Sequence, residues 1–276
     1  MFILALVLVV IVMLSAGLGL LLYRLVPDRW GGPIEWGRRL ALRFGSVTAF
    51  VLISAVGSVA TFVIMMPVGL LAKFLQGGLD VPVLHWALST VDTHGAFTKI
   101  NTYVTTLGDR STTDLVCLSA GLILAFAYRR RWWVPMLAIG VTFAAQHEGQ
   151  LFLAHWLHRD LPPVVMAGAF PSGGVSRLLA DYGVIIVLIA MLFIRDGRPL
   201  SRAWRWGLVI GLGTYAAVEG FTRFYLSLHW LTDILSGWVF GWLLFFFFAT
   251  ATAALQTPTS LFGREKPSLA DAAAVR

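Results

Sequence analysis

The chain has 276 residues, of which 58% are hydrophobic and only 13% charged, with a mean hydropathy of +0.80. A soluble domain carries about 25% charged residues, so this composition cannot cover a water-facing surface and lipid must be much of the solvent. The net charge of +7 is read as arginine in cytoplasmic loops and attraction to anionic lipid. No run of basic and aromatic residues tracks a nucleic-acid strand, so no nucleic acid is expected as a partner. The single cysteine, Cys117, excludes an internal disulfide and a cysteine metal cluster.

A membrane-spanning helix needs about 20 mostly apolar residues. Seven such stretches follow in order, near 2–23, 47–75, 112–128, 132–155, 178–194, 206–226 and 233–254. The first has its first basic residue, Arg24, at its far end, which favours a retained helix over a cleaved signal. The expected organisation is all-α: an N-terminal helix and cytoplasmic loop over 1–46, a membrane core over 47–254, and a disordered cytoplasmic tail over 255–276. Polar or Pro/Gly-rich connections are expected at 24–46, 76–111, 129–131, 156–177, 195–205 and 227–232. Placing 24–46, 129–131, 195–205 and the tail in the cytoplasm puts fifteen of the 21 Lys and Arg residues there, as the positive-inside rule requires. Connections 76–111, 156–177 and 227–232 then face outward. Nine tryptophans at span ends or in loops, Trp86 and Trp230 among them, read as an aromatic belt, and Gly207, Gly211 and Gly213 as a surface for close helix packing.

Ionisable residues near a membrane are costly and mark functional mouths. His155, His158, Arg159, Arg177, Arg223, His229 and Asp233 all fall on the outward side. His229 and Asp233 are four apart at a helix start, so they share a face. A carboxylate that holds one imidazole nitrogen makes the other a better nucleophile or base. Arg223 ends the preceding helix, where its planar fork can hold a pair of phosphate oxygens. Glu219, one turn earlier, is placed to hold that guanidinium. Phe170-Pro171-Ser172-Gly173-Gly174-Val175-Ser176-Arg177 precedes an apolar helix and suits a tight turn whose N–H groups face an anion. Gln146-His147-Glu148-Gly149-Gln150 is unusually polar for a span; a packing network is the leading reading, with Glu148 and Gln150 reaching the site from below as the other. No third ligand at suitable spacing joins His155 and His158, so no metal is expected.

Taken together, Thr222-Arg223-x5-His229-x3-Asp233 and Pro171-Ser172-Gly173-Gly174 resemble the third and second motifs of the type 2 phosphatidic acid phosphatase superfamily. Relatives in that superfamily include undecaprenyl-diphosphate phosphatases and vanadium haloperoxidases. Leu107-Gly108-Asp109 is similar to its outward segment. The resemblance implies a six-helix phosphatase-like bundle over 47–254 plus one N-terminal helix, in the bacterial plasma membrane, with the site outside and the C-terminus cytoplasmic. It implies hydrolysis of a lipid phosphate or polyprenyl diphosphate through a phosphohistidine on His229. Asp233 would orient that histidine, and Arg223, Ser172 and Gly173 would bind phosphate; no cofactor is implied. The departures are specific. Gly174 stands where the family has its proton-donating histidine, and Ala154 and Leu161 stand at the lysine and arginine of the first motif, whose best placement runs from Ala154 to Pro162. Arg159 and Arg177 are the replacement cations and His155 or His158 the replacement acid. Loss of turnover, leaving a pocket that only binds anionic headgroups, is the alternative. The expected partners are the lipid substrate, membrane lipids and, at most, further copies of the chain.

Overall fold

The computed structural model describes residues 13–19, 21, 32–91, 95–162, 170–193 and 201–257. The described residues are almost wholly helical and include no strand. The elements are α1 (Gly32–Phe44), α2 (Ser46–Leu75), α3 (Val81–Thr90), α4 (Ala96–Thr105), α5 (Arg110–Tyr128), α6 (Trp133–Leu157), α7 (Gly173–Arg177), α8 (Gly183–Phe193), α9 (Arg202–Tyr225) and α10 (Leu231–Gln256). The chain is an integral membrane protein: four stretches, Ser46–Thr90, Arg110–Arg131, Gly173–Leu192 and Leu231–Gln256, are long and apolar enough to cross a bilayer. α6 falls short by composition because Gln146, His147, Glu148 and Gln150 interrupt it, yet it packs against α2, α5, α8 and α10 and so lies in the same layer.

The central element is α10. Its glycines explain how the other helices reach it. A Cβ on Gly237 would stand 2.8 Å from the Ser172 carbonyl oxygen, and one on Gly241 2.9 Å from Ser176 Cα. Only glycine at these two positions, one turn apart, lets the α7 backbone rest on α10. Phe240, Leu244 and Phe248 fill the core beside α2 and α6, while Trp238, Trp242 and Phe245 pack toward α9. The described part of the first span, residues 13–19 and 21, lies here too: Ala16 meets Gly213, and the Ser15 carbonyl accepts from Trp242 Nε1 at 3.1 Å. The remainder of that expected span and the tail beyond 257 lie outside the described residues.

Two expected connections are helical instead. Residues 24–46 contain α1, which packs on α10 with Gly37 against the Thr250 carbonyl. Residues 76–111 hold α3 and α4. The helix that begins at Ser46 runs on to Thr90 through one wider turn, Gln76–Asp80. Gly77-Gly78 and Pro82 suggested a break, but the widened turn carries the helix through the glycines and places Pro82 in the first turn of α3. The span expected at 178–194 starts earlier, at Gly173. Among the described residues nothing approaches Gly207 or Gly211, so of the three glycines read as packing sites only Gly213 makes a close contact there.

Candidate active site

One end of the bundle, opposite the Arg129–Arg131 turn, gathers most of the polar residues singled out in the sequence. Three backbone features build it. The first is the end of α6. His158 adopts a left-handed conformation (φ 45) that stops the helix, and Lys73 Nζ donates to the Leu157 and His158 carbonyls at 3.0 and 3.2 Å. A cation there satisfies orphan carbonyls and complements the helix dipole. Arg159 follows directly. The second is the start of α7, where the Ser172 N–H donates to the Asp233 carbonyl at 2.9 Å. α6 holds this turn from the other side. Gln150 Nε2 donates to the Pro171 carbonyl at 3.2 Å and Gln146 Nε2 to Ser176 Oγ at 3.0 Å. The third is the short turn between α9 and α10, with Ser227 at φ 57, which returns the chain from Arg223 to His229.

On this frame stand two arginine clusters. Arg159 donates to Asp80 and Asp233 with its two terminal nitrogens and to Gln76 Oε1 with Nε at 3.1 Å. Asp80 in turn accepts from Thr232 N at 3.0 Å and Thr232 Oγ1 at 2.6 Å. The Asp233 carboxylate also accepts from Trp230 N at 3.2 Å, and its Oδ2 lies 3.9 Å from His229 Nδ1. Trp230, read in the sequence as a belt residue, is instead buried, with its ring 6.0 Å from the Arg159 guanidinium and its Nε1 donating to the Asp160 carbonyl at 2.8 Å.

In the second cluster, Arg223 Nε donates to Glu219 Oε1 at 2.7 Å, and its Nη2 to Asp109 Oδ1 at 2.8 Å and the Thr105 carbonyl at 3.3 Å. Thr105 Oγ1 donates to the same Glu219 oxygen at 3.3 Å. Arg177 is buried and donates to the Gly108 carbonyl from Nε at 3.2 Å and Nη2 at 3.1 Å. One segment, Thr105 to Asp109, therefore holds both arginines. Gly174 is central to this arrangement. A Cβ there would stand 2.5 Å from Arg223 Nε and 2.7 Å from its Cζ, so the guanidinium occupies the room a side chain at 174 would need.

The structure thus brings Ser172, Gly173, Gly174, Arg177, Glu219 and Arg223 into one cluster and Arg159, His229 and Asp233 into another, and the Ser172–Asp233 bond joins the two. His155 and His158 lie against each other, ring centroids 5.0 Å apart, on the exposed end of α6. Of the mid-span polar pair, Gln150 reaches the α7 turn, but Glu148 is exposed on the opposite side. Asp80, Gln76 and Thr105 were not anticipated. Asp80 carried no local signal, because its partner Arg159 is 79 residues away. Among the described residues no group of three His, Cys, Asp or Glu is placed to hold a metal ion.

A helix N-terminus faced by a guanidinium is an anion-binding geometry. Bundle and site together define a membrane protein of the type 2 phosphatidic acid phosphatase (PAP2) fold, and the chain resembles that superfamily. The fold matches the crystal structure of a transmembrane PAP2-type phosphatidylglycerolphosphate phosphatase from Bacillus subtilis. The TM-score is 0.56 at 24% identity, over 69% of this chain and 93% of that one. In sequence, phosphatidylglycerophosphatase B of Bacillus subtilis (strain 168) is 31% identical over 137 residues, which cover 48% of this chain and 63% of the relative. The chain thus spans somewhat less than two thirds of that curated relative. No family model matches.

Proposed function

We propose that the chain is a membrane lipid phosphatase that acts at the extracytoplasmic face through His229. The observation that carries this reading is the meeting of Arg223 with the α7 N-terminus at Gly174, beside a helix start that holds His229 on Asp233. Buried Ser172 Oγ, without a hydrogen-bond partner among the described residues, supports it as a hydroxyl available to a phosphate oxygen. The two Bacillus relatives, both lipid phosphatases by name, support the same class. Positive-inside counting supports the outward orientation.

In the proposed reaction, His229 Nε2 attacks phosphorus and the bond from phosphorus to the leaving oxygen breaks. Asp233 steadies the positive charge that develops on the imidazole. Arg223, the α7 amides and Ser172 Oγ hold the phosphoryl oxygens. Water then cleaves the phosphohistidine and releases inorganic phosphate. With glycine at 174, the leaving oxygen finds no histidine there to protonate it. A diphosphate, whose leaving group is a phosphate, needs that proton less than a monoester that expels an alkoxide. A polyprenyl diphosphate is therefore the preferred substrate. For a monoester the proposed donors are His155 and His158.

A second reading has its own observation. Arg159, Arg177 and Arg223 all donate to protein acceptors, and cations already engaged in this way suit headgroup binding without turnover. Phosphate release from a panel of lipid phosphates and diphosphates separates the two. The phosphatase reading expects wild-type release and at least about a thousandfold loss in His229→Ala. Equal release by both proteins overturns it. Binding of lipid phosphate with no release from either establishes the second reading.

A further inference from the structure

α6 carries ionisable groups that the site leaves unused. Its inner face, through Gln146 and Gln150, holds the α7 turn. On its outer face Gly140, Ala144, Glu148 and Leu151 are exposed and His147 is half-buried. Glu148 is the sixteenth of the 25 residues of α6, about 14 Å below the outer helix end at 1.5 Å per residue. A carboxyl at that depth is costly against lipid and is normally paired or turned inward. Glu148 makes no hydrogen bond or ion pair among the described residues.

Among the described residues, the neighbouring helices flank this face without covering it. α2 packs to one side, where Phe62 meets Phe152 and Gly149, and α5 to the other, where Gly121 meets Met136. The described part of the first span lies elsewhere, on α9 and α10. With about 100° between successive residues, His147 and Glu148 straddle the line drawn through Ala144 and Leu151.

We propose that this face pairs two copies of the chain in the membrane. A twofold axis parallel to the helices sets Glu148 of each copy beside the partner's His147, twice and at equal depth. The carboxyl and the imidazole then satisfy each other away from lipid. A second copy is the occupant because symmetry guarantees it the complementary group at the matching depth. Gly140 has open space before it and Ala144 offers only a methyl, so the two backbones can approach closely.

The test uses the full chain in liposomes at low protein density. In a Cys117→Ser background, Ala144→Cys should give a disulfide-linked dimer on oxidation, and Val59→Cys, on the exposed face of α2, should not. Photobleaching of the fluorophore-labelled chain should show two steps. His147→Glu, which sets carboxyls against each other, should weaken pairing by about tenfold, and the exchange His147→Glu with Glu148→His should restore it. Single-step bleaching of the wild type at every density overturns the proposal. So does equal cross-linking at 144 and 59, or pairing by His147→Glu as tight as wild type.

Discussion

Arg159 and Arg223 frame the same pocket, and their surroundings differ in one respect that decides their roles. The Arg159 side chain is 3% exposed and both its carboxylate partners are 0% exposed. Arg223 is 10% exposed, and one of its partners, Asp109, is 46% exposed. A charge enclosed by two buried carboxylates cannot exchange partners without leaving one of them unpaired in a dry interior. A charge whose partner already touches solvent can. Arg159 is therefore proposed to fix Asp233, and with it His229, whereas Arg223 is the guanidinium free to turn toward an incoming phosphate. The sequence alone made both phosphate ligands, Arg223 by its place in the third motif and Arg159 as a replacement for the missing cations of the first.

Breaking the enclosed cluster should have the largest effect on the protein. Arg159→Ala leaves Asp80 and Asp233 buried without their cation, and removing one partner of a buried pair costs about 3–5 kcal/mol. Denaturation in detergent should show this loss. Adding Asp80→Asn should recover part of it, because one uncompensated charge is then removed. If Arg159→Ala unfolds like the wild type, the enclosed cluster is not a structural clamp and the contrast with Arg223 collapses.

Arg223→Lys tests the other side. Lysine keeps a charge near Glu219 but loses the planar fork that now reaches Glu219, Asp109 and Thr105 together. Stability should change by about 1 kcal/mol, while phosphate release falls about a hundredfold. A similar logic governs Gly174→His, which restores the histidine type expected by resemblance. The new Cβ would stand 2.5 Å from Arg223 Nε, so the guanidinium must leave Glu219 and Asp109 before the imidazole can enter. Turnover of a lipid monoester should fall about tenfold rather than rise. A gain would mean that Arg223 yields its place freely.

These contrasts also show what could be read from sequence. Four of the seven expected spans were legible because lipid demands long apolar runs, and the nearness of His229 to Asp233 was legible because it is local, a short step across the start of α10. α3 and α4 were not legible, because Gly77, Gly78 and Pro82 look like a loop until a widened turn carries the helix through them. The Arg159 cluster was hidden for another reason. Arg159 meets Asp80 only after α2, α6 and α10 have packed, and nothing in the composition of either segment announces the other. Glu148 was misjudged by proximity: two residues from Gln150, it is turned to the far side of the same helix.

The smallest predicted effect is the sharpest test of exchange at Arg223. Asp109 and a bound phosphate would both draw on Arg223 Nη2, so the carboxylate is a resident competitor. An exposed ion pair contributes up to about 1 kcal/mol, which as a competing interaction corresponds to about a fivefold change in affinity. Asp109→Asn keeps an oxygen able to accept from Nη2 and removes the charge. Stability should stay within about 1 kcal/mol of wild type, and the inhibition constant for orthovanadate, a phosphate mimic, should fall about three- to tenfold. Tighter inhibition would place the anion at Arg223. Weaker inhibition would mean that Asp109 orients the guanidinium for phosphate instead of holding it away, and Arg223 would then belong with Arg159 as a fixed element of the frame.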